Sequence, residues 1–387
     1  MDISRHIWML MDTAYNRSCD EIMSILVAHP SLNAHGGSER VCLTIIEALK
    51  ERGYNVTLGT FEKTNWKSLK EFFGDIKKPD IEVVHRRFFG TSAYEELLNF
   101  HFFLLRMTKK YDLVIISCTS PWFYCPKEGR AIIYLNLVPI NYFRGFKHAY
   151  LIPYISMQKI LLKRQRKKIV LTNSLFSSKI IESMYSFKPE VVYPPVDIEN
   201  FYPAPKENII VSVGRFDPYK NYEILIRASS QFHDGRCLII GSIYGRASAR
   251  YFNKLKNLIN RLKVSDKVRL IVNCPSTELK RILSKAKIYV HCARFEYFGM
   301  SIIEAMACGC VPIVYGGGGA YIDVIDRGKY GLFFNNINEL INNVNLLLED
   351  NSLFKRFSKK AIKRAHFFNK QEFKKAFLKF VDKVYLL

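Results

Sequence analysis

In the stretch RFEYFGMSIIEAMACGC, residues 294–310, Glu296 and Glu304 stand eight positions apart with Gly299 between them. Helix propensity begins after Gly299, which puts Glu296 in the loop before a helix and Glu304 more than one turn inside it. Such a helix start aims free backbone N–H groups at the cleft. Carboxylates beside it can accept hydrogen bonds from the hydroxyls of a bound sugar or ribose. For a single glutamate the plainer reading is a loop carboxylate near a helix end. A second constellation, VSVGRFDPYKN at 211–221, puts Arg215 and Lys220 after a strand and beside a helix start. Like charges avoid one another unless an anion joins them, so the two are either solvated surface cations or a site able to hold a diphosphate. The third, HGGSER at 35–40, sets Gly36 and Gly37 between a strand and a helix, with Ser38 as the expected N-cap. The glycines would let the backbone approach a ligand closely. The spacing is neither G-x-G-x-x-G nor a Walker sequence, so alone it reads as a tight turn.

These residues need strand ends to hold them, and the chain supplies them twice. At 387 residues, with 49% hydrophobic content, it is long enough for two domains of comparable size. From residue 22 the pattern is an apolar run, a glycine turn, an amphipathic helix and a second apolar run, which is a βαβ opening. Further apolar runs at IEVVHRRF, DLVIIS, AIIYLNLVP, IVLTNS and EVVYPPV alternate with helix-like stretches, as in a parallel doubly wound sheet. Four prolines in YPPVDIENFYPAPKEN, residues 193–208, mark a linker. After it the alternation restarts, from IIVSVGRF through RCLIIGS, VRLIVN and KIYVHCA to VPIVYGG. The expected organisation is a first Rossmann-like domain over 1–196, a second over 197–370, and a terminal helix over 371–387. Two such α/β halves place a ligand in the cleft between the carboxyl ends of their strands.

Composition narrows the partners. Lys plus Arg number 58 against 35 Asp plus Glu, a net charge of +23, which favours nucleic acid, acidic lipid or phosphorylated small molecules. Nine cysteines lie scattered with no C-x-x-C pair, so neither a disulfide framework nor a zinc cluster is indicated, and a reducing cytoplasmic setting is expected. No run reaches the ~18 apolar residues of a membrane-spanning helix, and the opening apolar cluster is too short for a secretory signal. MQKILLKRQRKKIV, residues 157–170, mixes an apolar face with six cations. With the aromatic segments FHFFLLRM and INYFRGF it suits an anionic membrane surface. A nucleic-acid binder is the rival that the charge alone would suit, but no recognised module is present and no nucleic-acid partner is expected.

In combination, VGRFDPYK, EYFGMSIIEAMACGCVPIVYGGGG, GGSERV and VVYPPVDIENF resemble the family 4 glycosyltransferases of the GT-B fold, and among them the lipid-linked-oligosaccharide mannosyltransferases. The likeness covers nearly the whole chain after the first twenty residues, and the Glu-x7-Glu block is its most specific part. It implies an α/β GT-B architecture, two Rossmann-like domains facing across a cleft, with the C-terminal helix returning to the N-terminal domain. It also implies a retaining transfer of a hexose, mannose or glucose, from a nucleotide diphosphate sugar to a glycan or polyprenyl-linked acceptor, at the cytoplasmic face of a membrane. Arg215 and Lys220 would hold the donor diphosphate, Glu296 the transferred sugar and Glu304 the nucleotide ribose. Backbone groups of Gly36, Gly37, Phe298, Gly299 and Met300 would face sugar or phosphates, and NCPST at 273–277 would border the base. No Asp-x-Asp motif occurs, so neither a metal nor any other cofactor is expected, the two cations taking the metal's place. Where related enzymes often carry a histidine, YLNLVP offers Asn136, which can contact a sugar hydroxyl but cannot carry a proton. His35 and His85 lie near strand ends and are expected to be structural or solvent-facing. A soluble polysaccharide synthase and a GT-B-fold sugar-nucleotide epimerase are the alternatives.

Overall fold

A parallel sheet covered on both faces needs continuous apolar strands rather than alternating ones. Ile25, Leu26, Val27 and Ala28, all fully buried, make β1 (Ser24–Ala28) such a strand. The computed structural model describes residues 23–87, 93–107, 110–118, 130–136 and 168–384, with residues 152, 153, 156 and 160. The basic segment expected to meet a membrane, and INYFRGF, therefore lie largely outside the described residues.

After β1 come α1 (Gly37–Glu51), β2 (Asn55–Thr60), α2 (Trp66–Phe73), β3 (Ile81–Val84), α3 (Ala93–Met107), β4 (Leu113–Cys118), β5 (Ala131–Leu135), β6 (Lys168–Thr172), α4 (Leu175–Tyr185) and β7 (Glu190–Val191). All strands pair in parallel, in the order β3-β2-β1-β4-β5-β6-β7. The second domain runs β8 (Glu207–Val213), α5 (Tyr222–Ser229), β9 (Arg236–Gly241), α6 (Gly245–Leu262), β10 (Val268–Val272), α7 (Ser276–Lys285), β11 (Ala286–His291), α8 (Met300–Ala307), β12 (Val311–Tyr315) and β13 (Leu332–Phe334). Its parallel sheet is ordered β10-β9-β8-β11-β12-β13. Three helices follow, α9 (Ile337–Glu349), α10 (Asn351–His366) and α11 (Lys370–Val384). The winding reverses once in each sheet, between β1 and β4 and between β8 and β11. Doubly wound folds bind ligands in the crevice at the carboxyl ends of such strands.

The chain passes between the domains twice. Val196 N–H donates to Phe368 O at 2.9 Å, pairing the proline-rich crossing with the return one. α11 then lies on the first domain: Phe373, Phe377, Val381 and Val384 join its core beside Tyr134 and Leu171. Buried Lys374 is fixed there by Glu47 and Glu51 of α1, at 2.8 and 2.9 Å. A second tie crosses in the opposite sense. Asp323, on a short π-helical turn over Ala320–Val324, accepts from Leu175 N–H at 2.7 Å and Phe176 N–H at 3.2 Å. A carboxylate of one domain thus caps the first turn of α4 in the other. Beside it Tyr193 stacks on Phe298, 5.6 Å between ring centres, and Arg364 lies 4.7 Å from the Phe368 ring.

No described helix is long and apolar enough to cross a membrane. Asp323→Ala is expected to cost roughly 1–3 kcal/mol, because two helix N–H groups lose a buried acceptor. Calorimetry should register a lower unfolding midpoint, and an unchanged one would remove Asp323 from the forces that set the domains together.

Candidate active site

β8 and β11 are neighbours in the second sheet, and the chemistry gathers where both end. After β8, Gly214 leads into Arg215, which is exposed, and a 3₁₀ turn over Pro218–Lys220, where the Asp217 side chain accepts from Tyr219 N–H. That turn folds Lys220 back over the strand end. A methyl group on Gly214 would lie 3.1 Å from Lys220 Cε and 2.9 Å from Tyr222 Oη, so glycine after the strand leaves the lysine room to pass. After β11 the chain loops through Glu296 into α8. Lys220 Nζ donates to Glu296 Oε2 at 2.6 Å, and His291, the last residue of β11, meets the same oxygen through Nε2 at 3.0 Å. Both bonds use Oε2, which leaves Oε1 for a ligand.

The loop carrying Glu296 is held from below by the glycine run after β12. A methyl group on Gly319 would fall 2.0 Å from Tyr297 O and one on Gly318 2.7 Å from Glu296 O, while Gly319 N–H donates to Glu296 O at 2.6 Å. Gly299, at φ 102°, is the N-cap of α8, a backbone conformation that suits glycine. Ile302 N–H donates to Gly299 O at 3.0 Å, while the N–H groups of Met300 and Ser301 precede any acceptor inside the helix and can serve an anion.

The charges are fixed by their neighbours. Burial alone would raise the Glu296 carboxyl, but the Lys220 ammonium and the His291 hydrogen bond outweigh it and hold it well below the usual carboxylate range. Burial would likewise lower the Lys220 amine, yet the Glu296 charge raises it well above its ordinary value. Burial dominates at His291 and lowers it despite the carboxylate. The cluster is therefore an ammonium, a carboxylate and a neutral imidazole whose Nε2–H donates.

The first domain contributes its own strand end. The N-cap of α1 is Gly36, not the Ser38 expected from sequence. Glu39 reaches back to accept from Gly36 N–H at 2.7 Å and takes the Ser38 hydroxyl at 2.7 Å, so the helix begins two residues earlier. A methyl group on Gly37 would stand 3.0 Å from Met300 Sδ. The starts of α1 and α8 thus lie side by side across the domain boundary. One turn further, Arg40 Nη1 donates to Glu304 Oε1 at 2.8 Å.

Arg215, Lys220, Glu296, Gly299 and Met300 share one strand-end region, and Gly36, Gly37 and Glu304 border it from the boundary. The Phe298 side chain turns away, buried against Tyr193 and Phe368, so only its backbone is available to a ligand. Asn136 follows β5 and is engaged within its own domain: its Nδ2 donates to Ser117 Oγ at 3.3 Å, and its backbone carbonyl accepts from Asn173 Nδ2 at 2.7 Å. His35 is structural, stacked on Phe72 at 5.2 Å with Nε2 3.0 Å from Ser68 Oγ. His85 packs near Phe61 and Phe103. His291 and Arg40 are the residues sequence reading missed. His291 left a signal in its place, a polar residue closing an apolar strand five positions before Glu296. Arg40 left none, because its partner is 264 residues away. Among the described residues, no group of three or more histidine, cysteine, aspartate or glutamate side chains is placed to hold a metal ion.

Comparison with known proteins fits this geometry. The model described as Glycosyltransferase Family 4 matches residues 35–200, and the one described as Glycosyl transferases group 1 matches 197–364. The chain belongs to the family 4 glycosyltransferases of the GT-B fold. Among curated relatives of this glycosyltransferase is a "GDP-Man:Man(3)GlcNAc(2)-PP-Dol alpha-1,2-mannosyltransferase" of Mus musculus, 25% identical over 92% of this chain and 86% of the relative. Its Homo sapiens counterpart of the same name is 26% identical over 78% of this chain and 74% of its own length. The fold matches the sucrose-phosphate synthase of Thermosynechococcus elongatus with a TM-score of 0.75, at 19% identity, covering 94% of this chain and 99% of that one.

The imidazoles give the glycosyltransferase a pH signature. His29, buried at the end of β1, and His291 both titrate below the ordinary 6.5. Below that pH the unfolded chain takes up protons that the folded one refuses, so folded stability falls as pH drops under about 6.5. His291→Phe removes one of these groups and should flatten the fall. Denaturation curves at a series of pH values measure it, and equal slopes in both proteins would show that His291 is not held neutral.

Proposed function

We propose that the enzyme transfers mannose from a nucleoside diphosphate donor, GDP-mannose, to a glycan carried on a lipid diphosphate, with retention of anomeric configuration and without a metal. The observation that carries the chemistry is the Lys220–Glu296–His291 cluster at the start of α8. Breaking the bond from the anomeric carbon to the diphosphate leaves an anion and an oxocarbenium-like sugar, and fixed cations with helix N–H groups answer the first need. Arg215 and Lys220 hold the diphosphate and take up the charge that grows as it leaves. The starts of α8 and α1 supply further N–H donors. Glu296 accepts from hydroxyls of the sugar through Oε1, and Glu304 from the ribose. The acceptor hydroxyl attacks the face the diphosphate leaves, and its proton passes to the departing phosphate oxygen. No protein nucleophile is needed.

The printed name of the mouse relative, at 25% identity over 92% of the chain, supports mannose as the sugar and a lipid-linked diphosphate glycan as the acceptor. A net charge of +23 and the exposed Leu98, Phe102 and Leu105 on one face of α3 support work at an anionic bilayer, from its cytoplasmic side.

Arg215→Ala and Lys220→Ala should each lower kcat by roughly 10²–10³, the usual cost of removing one group that stabilises the departing charge. Assays of the purified chain with GDP-mannose and UDP-glucose, each against a lipid-diphosphate and a soluble glycan acceptor, test donor and acceptor together. An undiminished kcat in Lys220→Ala would rule out this site. Loss of turnover on adding a chelator would rule out the metal-free scheme, and transfer to the soluble glycan alone would rule out the acceptor.

A further inference from the structure

Arg40 has no part in that scheme, yet it reaches across the domain boundary to the residue assigned to the ribose. Its bond to Glu304 Oε1 is 2.8 Å long, and the two side chains are only 23% and 11% exposed. Gly37 and Arg40 stand three apart on α1, and Met300 and Glu304 four apart on α8, so each pair shares a helix face. The two helices therefore meet at two points about one turn apart, Gly37 against Met300 and Arg40 against Glu304. Arg40 is propped from behind: its guanidinium lies 5.6 Å from the centre of the Phe73 ring, and Phe73 in turn meets His35 edge-on at 6.4 Å. Because His35 immediately precedes the glycine turn, α2 sets the position of Arg40 and of that turn together.

A carboxylate that is to receive two neighbouring hydroxyls must be fixed in one rotamer. A single N–H donor on Oε1 does this and leaves Oε2 available. We propose that Arg40 is a positioning residue, holding Glu304 for the ribose of the donor from the opposite domain, so that nucleotide affinity depends on the two domains being set as they are here. This rests on the assignment of Glu304 to the ribose.

The test compares dissociation constants of the full chain for GDP and for 2′,3′-dideoxy-GDP, with UDP and its dideoxy form in parallel, using whichever pair the unaltered protein binds. Arg40→Ala should weaken the ribonucleotide by roughly tenfold, the loss of one charge-assisted hydrogen bond acting through Glu304, and leave the dideoxy form nearly unchanged. Glu304→Ala should do the same, and the double variant should be no worse than Glu304→Ala. Arg40→Lys should recover part of the loss, and in turnover assays Arg40→Ala should raise KM for the donor with kcat little altered. Equal weakening of both nucleotides by Arg40→Ala, while Glu304→Ala still separates them, would overturn the role of Arg40 and leave the ribose assignment standing. Tighter ribonucleotide binding in Arg40→Ala would overturn it too, since Arg40 would then compete with the ribose. If Glu304→Ala fails to separate the two nucleotides, the ribose assignment falls and this proposal with it.

Discussion

A lysine and a glutamate buried against one another at the ends of neighbouring strands set the terms for the rest of the site. Either charge alone would be costly to withdraw from water, by several kcal/mol, and the pair repays this only if its remaining hydrogen-bonding capacity is used. His291 supplies one such bond, at 3.0 Å. The local backbone is subordinate to this arrangement. Gly214 follows β8 and leaves room for Lys220 to fold over the strand end, and the glycine run after β12 lets the Glu296 loop sit directly on the backbone. Buried ion pairs are seldom the most stable use of a site, and apolar residues of similar volume often serve as well or better. In the proposed function the pair is a prepared anion site: an ammonium whose charge is held by one carboxylate oxygen, beside the N–H groups that open α8.

The same logic explains why the fold has two sheets rather than one. A single strand-end crevice offers helix N–H groups and a few side chains on one side of a ligand. Here the second sheet carries Lys220, Glu296 and α8, and the first brings the start of α1 against the start of α8. In the proposed function, closure from both sides would exclude water from a diphosphate and strengthen each electrostatic contact with it.

Much of this was legible in the sequence, and what was not has a common cause. Continuous apolar runs such as SILVA and AKIYVH announce buried parallel strands, and the turns that end them hold Gly36, Arg215 and Glu296, so strand ends and candidate chemistry could be read together. The order of strands in the sheets could not, because register between segments is settled by packing. α2 escaped notice for a different reason: of its eight residues only Leu69 is fully buried, too little for a periodic signal. Ser38 was the better N-cap by residue type, but Glu39 satisfies the N–H of Gly36 and moves the helix start. Arg40 and His291 were missed because each acts through a partner in another element. A pairing across 264 residues leaves no trace in local spacing.

The residues that join the domains and those that would hold the donor are not separate sets. Phe298 belongs to both: its ring is stacked on Tyr193 in the crossing segment and meets Phe368 in the returning one, while its backbone opens the turn into α8. Asp323 follows the glycine run that supports Glu296, and it caps α4 of the other domain. A rotation of one domain against the other would therefore act on the Glu296 loop from two sides, through Phe298 above and through the Gly316–Gly319 run below. Packed interfaces of this kind tend to switch between discrete arrangements rather than deform smoothly. The Glu296 loop and the two crossing segments are then one mechanical unit, and the geometry that fixes Lys220 against Glu296 is also the geometry that fixes the domains.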